Sequence, residues 1–265
     1  MPVYPRRILV TTPHARRADD ERRARAVAEF WGFHFVRRKG RPFRELLAEH
    51  QAEGVLVITA KEEVFWHRSG YRLFFHPGLA KMRLLTLRKG GVEWMIRAMD
   101  LREGETVVDA NLGLANDALL LAFVSRRPVL GVEWDPVIAF ITACGLRRYP
   151  FARILPEAQE AARRIRVICQ DHRDFLRALP DKSVDHVYFS PMFVEPGFYS
   201  EDRMALRAYA PKDFVSEEAF REAFRVARRT VTVKLNRDRP PLPLPAGYRL
   251  LGSKRSTVEY AVWPL

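Results

Sequence analysis

Three acids stand where short apolar runs stop: Asp109 after Thr106–Val108, Glu133 after Pro128–Val132, and Asp171 just past Ile165–Cys169. The runs are rich in β-branched residues and suit buried strands, so each acid falls at a strand's carboxyl end. A carboxylate is not a core residue unless it is paired. At a strand end it can instead accept hydrogen bonds from the hydroxyls and amines of a bound molecule. A fourth run, Asp185–Phe189, leads directly into Ser190-Pro191-Met192-Phe193. A side-chain oxygen, a backbone carbonyl and an aromatic ring in that order make either a plain proline turn after a strand or a seat for an exocyclic amine of a nucleobase. An exocyclic amine of a nucleobase is flattened by conjugation and is a poor nucleophile. Ser190 and the Pro191 carbonyl can accept its two protons and favour a pyramidal nitrogen, while Phe193 stacks on the base.

The elements that must position these groups can be read from the same stretches. Thr106 to Asp117, TVVDANLGLAND, reads as strand, tight turn and helix start, the ligand-binding corner of an open α/β sheet. Gly113 lets the turn's backbone approach a ligand closely. Asn111 and Asp117 flank it, and Trp134 and His172 follow the second and third acids; with Asp109, Gly113, Glu133 and Asp171 they make the candidate cofactor set. The glycine spacing G-x-G-x-x-G of nicotinamide enzymes is missing, and an acid stands at the strand tip instead. Glu133 at the end of the second strand suits the two hydroxyls of a ribose, and Asp171 suits an adenine amino group.

Around this core the pattern predicts a chain in two parts: a small α/β domain over residues 1–75 and a larger domain over 76–265. In the first, strands at Arg7–Thr11, Phe33–Val36 and Gly54–Thr59 alternate with helices at Ala18–Trp31 and Phe43–Gln51, and a hairpin follows over Val64–Phe75. Phe74–Gly91 reads as a cationic linker, Pro150–Arg163 as an irregular insertion, and Phe193–Lys212 as a long loop with aromatics among arginines. Ser216 caps the next helix. Thr230–Leu235 is a fifth strand, and Tyr248–Gly252 and Thr257–Trp263 form a closing pair.

A formal net charge of +13 over 265 residues points to a polyanionic partner. Arginine dominates the excess, which suits phosphate recognition. Arg38, Lys39, Arg83, Arg203 and Lys234 are the candidate RNA contacts. No apolar run is long enough to span a membrane, and no secretory signal is visible, so a cytoplasmic protein with no membrane partner is expected. The two cysteines, Cys144 and Cys169, have no neighbours at metal-ligand spacing, and no metal is expected. The residues alone leave open a non-catalytic RNA-binding protein on this scaffold and an enzyme for small molecules. Oligomeric state is not legible.

Asp109-x-x-x-Gly113-x-Ala115 is similar to motif I of class I S-adenosylmethionine (SAM) methyltransferases. More closely, the chain resembles the ribosomal RNA small-subunit methyltransferase J family and its uncharacterised Gram-positive relatives. The shared stretches are FFHPGLAKMR, DANLGLAND, the Cys169–Asp171 region, YFSPMF and VKLNRDRPP. The resemblance implies a Rossmann-like α/β methyltransferase sheet with a terminal antiparallel strand pair. It implies SAM as cofactor and the exocyclic N2 of a guanine in small-subunit rRNA as acceptor. It implies cofactor roles for Asp109, Gly113, Glu133 and Asp171, and target-base roles for Ser190, Pro191 and Phe193. Two positions depart from the family pattern: Ser190 where Asp is usual, and Ala115 where Gly is usual.

Overall fold

Val107–Asp109, Val129–Glu133, Ile165–Cys169, Val184–Phe189 and Ala227–Asn236 are the β-branched, largely buried segments on which the larger part of the chain is built. A computed structural model describes residues 7–13, 18–59, 62–191, 215–238 and 242–265. The chain divides into two compact units, meeting in sequence between Phe75 and His76.

The first unit holds strands β1 (Ile8–Thr11), β2 (His34–Phe35), β3 (Gly54–Ile58), β4 (Glu63–His67) and β5 (Arg72–Phe74), with helices α1 (Ala18–Trp31) and α2 (Phe43–Glu49). They form one sheet in the order β2-β1-β3-β4-β5. β1 pairs parallel with β2 and β3, and the last strands pair antiparallel. Leu9, Val55 and Val57 pack with Leu46 of α2 to give the unit a core of its own.

The second unit begins with two helices, α3 (Gly78–Arg88) and α4 (Trp94–Met99). The cationic linker expected over Phe74–Gly91 is therefore mostly helical. Its Ala80 and Leu84 are fully buried, and burial of that face supplies what the sequence pattern only weakly shows. β6 (Val107–Asp109), α5 (Asn116–Ser125), β7 (Val129–Glu133) and α6 (Pro136–Arg148) follow. The stretch expected to be irregular, Pro150–Arg163, contains a 3-10 turn at Phe151–Arg153 and then α7 (Pro156–Arg164). Pro156 starts that helix at a position where its missing N–H costs nothing. β8 (Ile165–Cys169), α8 (His172–Ala178), β9 (Val184–Phe189), α9 (Glu217–Val226), β10 (Ala227–Asn236), β11 (Arg249–Gly252) and β12 (Val258–Pro264) complete it.

The seven strands lie in the order β11-β12-β10-β9-β6-β7-β8. β8, β7, β6, β9 and β10 are mutually parallel, and β12 joins β10 antiparallel, with β11 antiparallel to β12. This is the Rossmann-like α/β sheet with a terminal antiparallel pair that the sequence implies. Its strand order reverses at β6, whose neighbours β7 and β9 are reached in opposite directions, and the carboxyl end of a reversal is where open α/β sheets bind ligands. Among the described residues, no helix is long and apolar enough to cross a membrane.

Candidate functional site

The turn after β6 is held from three sides. The Ala110 N–H donates to the Tyr188 carbonyl on β9 at 2.9 Å, and the Leu112 N–H donates to the Val132 carbonyl on β7 at 2.9 Å. The Thr142 hydroxyl of α6 donates to the Gly113 carbonyl at 2.7 Å. Gly131 on β7 makes room for Leu112: a Cβ there would sit 2.5 Å from Leu112 Cδ1. Gly113 and Ala115 are both left-handed, with φ of 52° and 59°. Glycine is the natural residue for that conformation, and alanine holds it at a cost of about 1 kcal/mol.

Asp109 is buried to 1% exposure at the end of β6. Its Oδ1 accepts the Asn111 N–H at 3.2 Å. Its Oδ2 is buried with no hydrogen-bond partner among the described residues. Burial first, and then the negative charge of Asp117, push this carboxyl up to about 8. Glu133 accepts the Asp135 N–H on Oε1 and the Gly113 N–H on Oε2, each at 2.9 Å. Burial pushes it up to about 7 against the pull of these N–H groups. A carboxylate has about four acceptor directions, so Glu133 keeps capacity for a further donor beside its backbone N–H groups. Trp134 follows it in the chain, and its N–H also favours the ionised form.

At the end of β8, Asp171 caps α8 by accepting the Arg173 N–H at 2.8 Å. The Arg173 side chain also grips it, with contacts of 3.0 and 2.7 Å. Burial would raise its carboxyl, but Arg173 outweighs burial and holds it below the usual range. Burial lowers the basicity of the His172 imidazole. Its Nε2 is a second buried atom with no partner among the described residues, and its ring lies edge-on to Phe189 at 5.8 Å.

Ser190 is tied to the turn after β6. Its N–H donates to Asn111 Oδ1 at 3.1 Å, and its hydroxyl donates to the Asn111 carbonyl at 3.3 Å. Asn111 thus links the Asp109 tip to the Ser190–Pro191 turn. With its proton committed, the Ser190 oxygen presents lone pairs only. Phe193 and Arg203 lie outside the described residues.

Asp117, Arg83 and Lys234 meet at one place in the second unit. The sequence suggests a cofactor ligand and two RNA contacts; the structure joins them in one ion cluster. Asp117, 7% exposed, receives Arg83 on Oδ1, and Lys234 and the Tyr188 hydroxyl on Oδ2 at 2.8 and 2.9 Å. Arg83 also grips Glu93. A charge this deep must be neutralised, and these two half-buried cations do it. In the first unit, Arg38 stacks over the Phe43 ring at 4.1 Å and donates to the Arg41 carbonyl at 2.9 Å. Lys39 stands exposed beside it.

The sequence reading missed several supporting residues. Asp135 caps α6 by accepting the N–H groups of Val137 and Ile138 at 2.9 and 3.0 Å. Its place just before Pro136 was the available signal. Thr142 and Tyr188 gave none, because each acts on a partner distant in sequence. Asn116 Oδ1 accepts the Ala80 N–H at 3.2 Å and fixes the start of α3 against α5.

The acceptors left over fit SAM. Asp109 Oδ2, the remaining capacity of Glu133 and His172 Nε2 can receive ammonium, ribose hydroxyl and adenine amine protons that this molecule carries.

A profile of the family "Putative SAM-dependent methyltransferase" matches residues 71–247. "Uncharacterized protein YpiP" of Bacillus subtilis is 34% identical over 214 residues, covering 80% of this chain and 82% of its own. Ribosomal RNA small subunit methyltransferase J of Laribacter hongkongensis is 34% identical over 122 residues, 45% of this chain and 42% of its own. A solved SAM-dependent methyltransferase from Neisseria gonorrhoeae superimposes with a TM-score of 0.64 at 18% identity, covering 97% of this chain and 95% of its own, a likeness of fold.

Proposed function

The chain belongs to the SAM-dependent methyltransferase family, with SAM as its cofactor, and from that premise we propose that it methylates an exocyclic amine, guanine N2, of small-subunit ribosomal RNA. The observation that carries this reading is the Asn111 bridge. One residue fixes both the turn beside Asp109 and the Ser190–Pro191 turn, so cofactor pocket and acceptor pocket share a wall. Relatives that carry the name of a ribosomal RNA methyltransferase support the choice of substrate. A formal charge of +13 suits a polyanion in the cytoplasm.

When bound, SAM supplies a methyl group already activated on a sulfonium, so the bond pair leaves with sulfur. The chain's task is placement. Glu133 takes a ribose hydroxyl on its remaining acceptor capacity. Asp109 Oδ2 faces the cationic part of the cofactor, and a positive charge there returns the carboxyl to its ionised form. Ser190 Oγ and the Pro191 carbonyl accept the two protons of the target amine and turn its lone pair toward the methyl carbon. The proton displaced after transfer leaves to water, and no strong base is needed. Serine serves where the family usually has aspartate because Asn111 holds its hydroxyl proton.

The test is incubation of the purified protein with radiolabelled SAM and unmodified 16S rRNA, followed by nucleoside mass analysis. One N2-methylguanosine per RNA, slowed in Ser190→Ala with SAM affinity intact, is the expected result. SAM binding without any transfer to RNA would move the reading to a non-catalytic RNA-binding protein on the same scaffold.

A further inference from the structure

β8 ends the seven-stranded sheet, with β7 on one side and, among the described residues, no strand on the other. A groove of about 580 Å³ lies between α6, α7 and β8. The wall it gains from α7 belongs to the segment between α6 and β8 that a plain βαβ connection does not need. Arg147, Arg163 and Arg166 line the groove, one from each element, over a floor that includes Leu146 and Val167. Arg163 is held by Glu160 at 2.6 Å. Arg147 and Arg166 are exposed, and neither has an ion-pair or hydrogen-bond partner among the described residues. From Arg147 to Arg166 the chain carries six arginines against two glutamates, and both glutamates are paired, Glu157 with Arg88 and Glu160 with Arg163.

An open strand edge invites another strand, and charge placed on it is how proteins refuse one. A second copy docked edge to edge would set one Arg166 against another. The charge instead suits a polyanion. Arginine forks fit phosphates, and an apolar floor accepts sugars and bases. Val167 is four residues from Asp171, at most about 13 Å along an extended chain. Ser190 stands three strand positions away across the sheet, about 14 Å. A few nucleotides of RNA cover that distance.

We infer that this groove is a second RNA subsite, in which Arg147 and Arg166 hold backbone phosphates of the strand flanking the target nucleotide. The inference rests on the RNA reading above and adds where that RNA lies.

The experiment uses fluorescent, in vitro transcribed 16S rRNA and the full chain with SAM, titrated over a series of KCl concentrations. The double variant Arg147→Glu with Arg166→Glu should bind about tenfold more weakly or worse. Its plot of log K against log salt should be shallower by about 1.5, since each lost phosphate contact removes ~0.7–0.9. SAM affinity should not change. The control is Arg102→Glu with Arg126→Glu, which removes the same charge from exposed positions outside the groove; it should keep most of the wild-type slope. Equal losses in both doubles would overturn the inference, because bulk charge would then explain them. A groove double that binds like wild type would overturn it and leave the RNA reading standing. A wild-type protein that binds SAM but no RNA would overturn the RNA reading and the groove with it. Equal competition by polyglutamate and oligouridylate would assign the groove to acidic chains in general and overturn the RNA assignment.

Discussion

Asp109 and Asp117 belong to one strand–turn–helix, are 1% and 7% exposed, and are held in opposite states. Burial would raise both. At Asp117 the positive charges of Lys234 and Arg83 outweigh burial and hold the carboxyl far below the usual range. At Asp109 the described residues offer one N–H and no cation in contact, and the carboxyl rises to about 8. The two differ in who supplies the counter-charge. Where the chain supplies it, the acid is a fastener between α3, α5, β9 and β10. Where it does not, the acid is left for a ligand, and under the function proposed above that ligand is SAM.

The sharpest way to break this contrast is Asp117→Ala. It would strand Arg83 and Lys234 beside each other in a low-dielectric site. A loss of about 3–5 kcal/mol is expected in chemical denaturation, enough to threaten folding. A loss under about 1 kcal/mol would mean that the cluster is not the fastener described.

Asp109→Asn should act in the opposite sense. It should weaken SAM binding tenfold or more in calorimetry, yet stabilise the unliganded protein at pH 8 by about 1 kcal/mol, or 2–4 °C in Tm. The sign follows from linkage. A carboxyl whose folded pKa is raised keeps its proton when folded and loses it when unfolded, so it lowers stability as pH rises from about 4 to about 8. Asparagine does not titrate and escapes that loss. A destabilised Asp109→Asn would put the residue in the structural class with Asp117.

Ser190→Ala removes one positioned acceptor. It should lower kcat about tenfold, with the SAM dissociation constant unchanged. The pH dependence of SAM affinity should follow from Asp109 at about 8 and Glu133 at about 7. Both ionise more readily against a cation and hydroxyl donors, so binding releases protons and affinity rises with pH until it levels above 8. A flat profile from pH 6 to 9 would remove both carboxyls from the cofactor site. The smallest effect belongs to Ala115→Gly. Relief of the left-handed backbone at φ 59° should stabilise the protein by no more than about 1 kcal/mol, read as a small rise in Tm.

Much of the site was legible because strand ends are local. A β-branched run followed by an acid announces Asp109, Glu133 and Asp171 without knowledge of any partner. The same holds for Ser190 after Asp185–Phe189 and for the terminal strand pair. Legibility failed where a face is decided by burial. Gly78–Arg88 is a helix because Ala80 and Leu84 find a core to enter, and Pro156–Arg164 is one because Ala158, Ala161 and Ala162 do.

By itself, then, the sequence determined the order of the strands and of most helices, the chemical types at the strand tips and an excess of positive charge. All of these depend on neighbours a few residues apart. Only the tertiary structure decided which charges are spent. Arg83 and Asp117 are 34 residues apart, Asp117 and Lys234 are 117 apart, and the Asn111–Ser190 bridge spans 79. Such pairings follow from the burial that folding imposes, since a charge or polar group removed from water must find a partner among whatever the fold brings beside it.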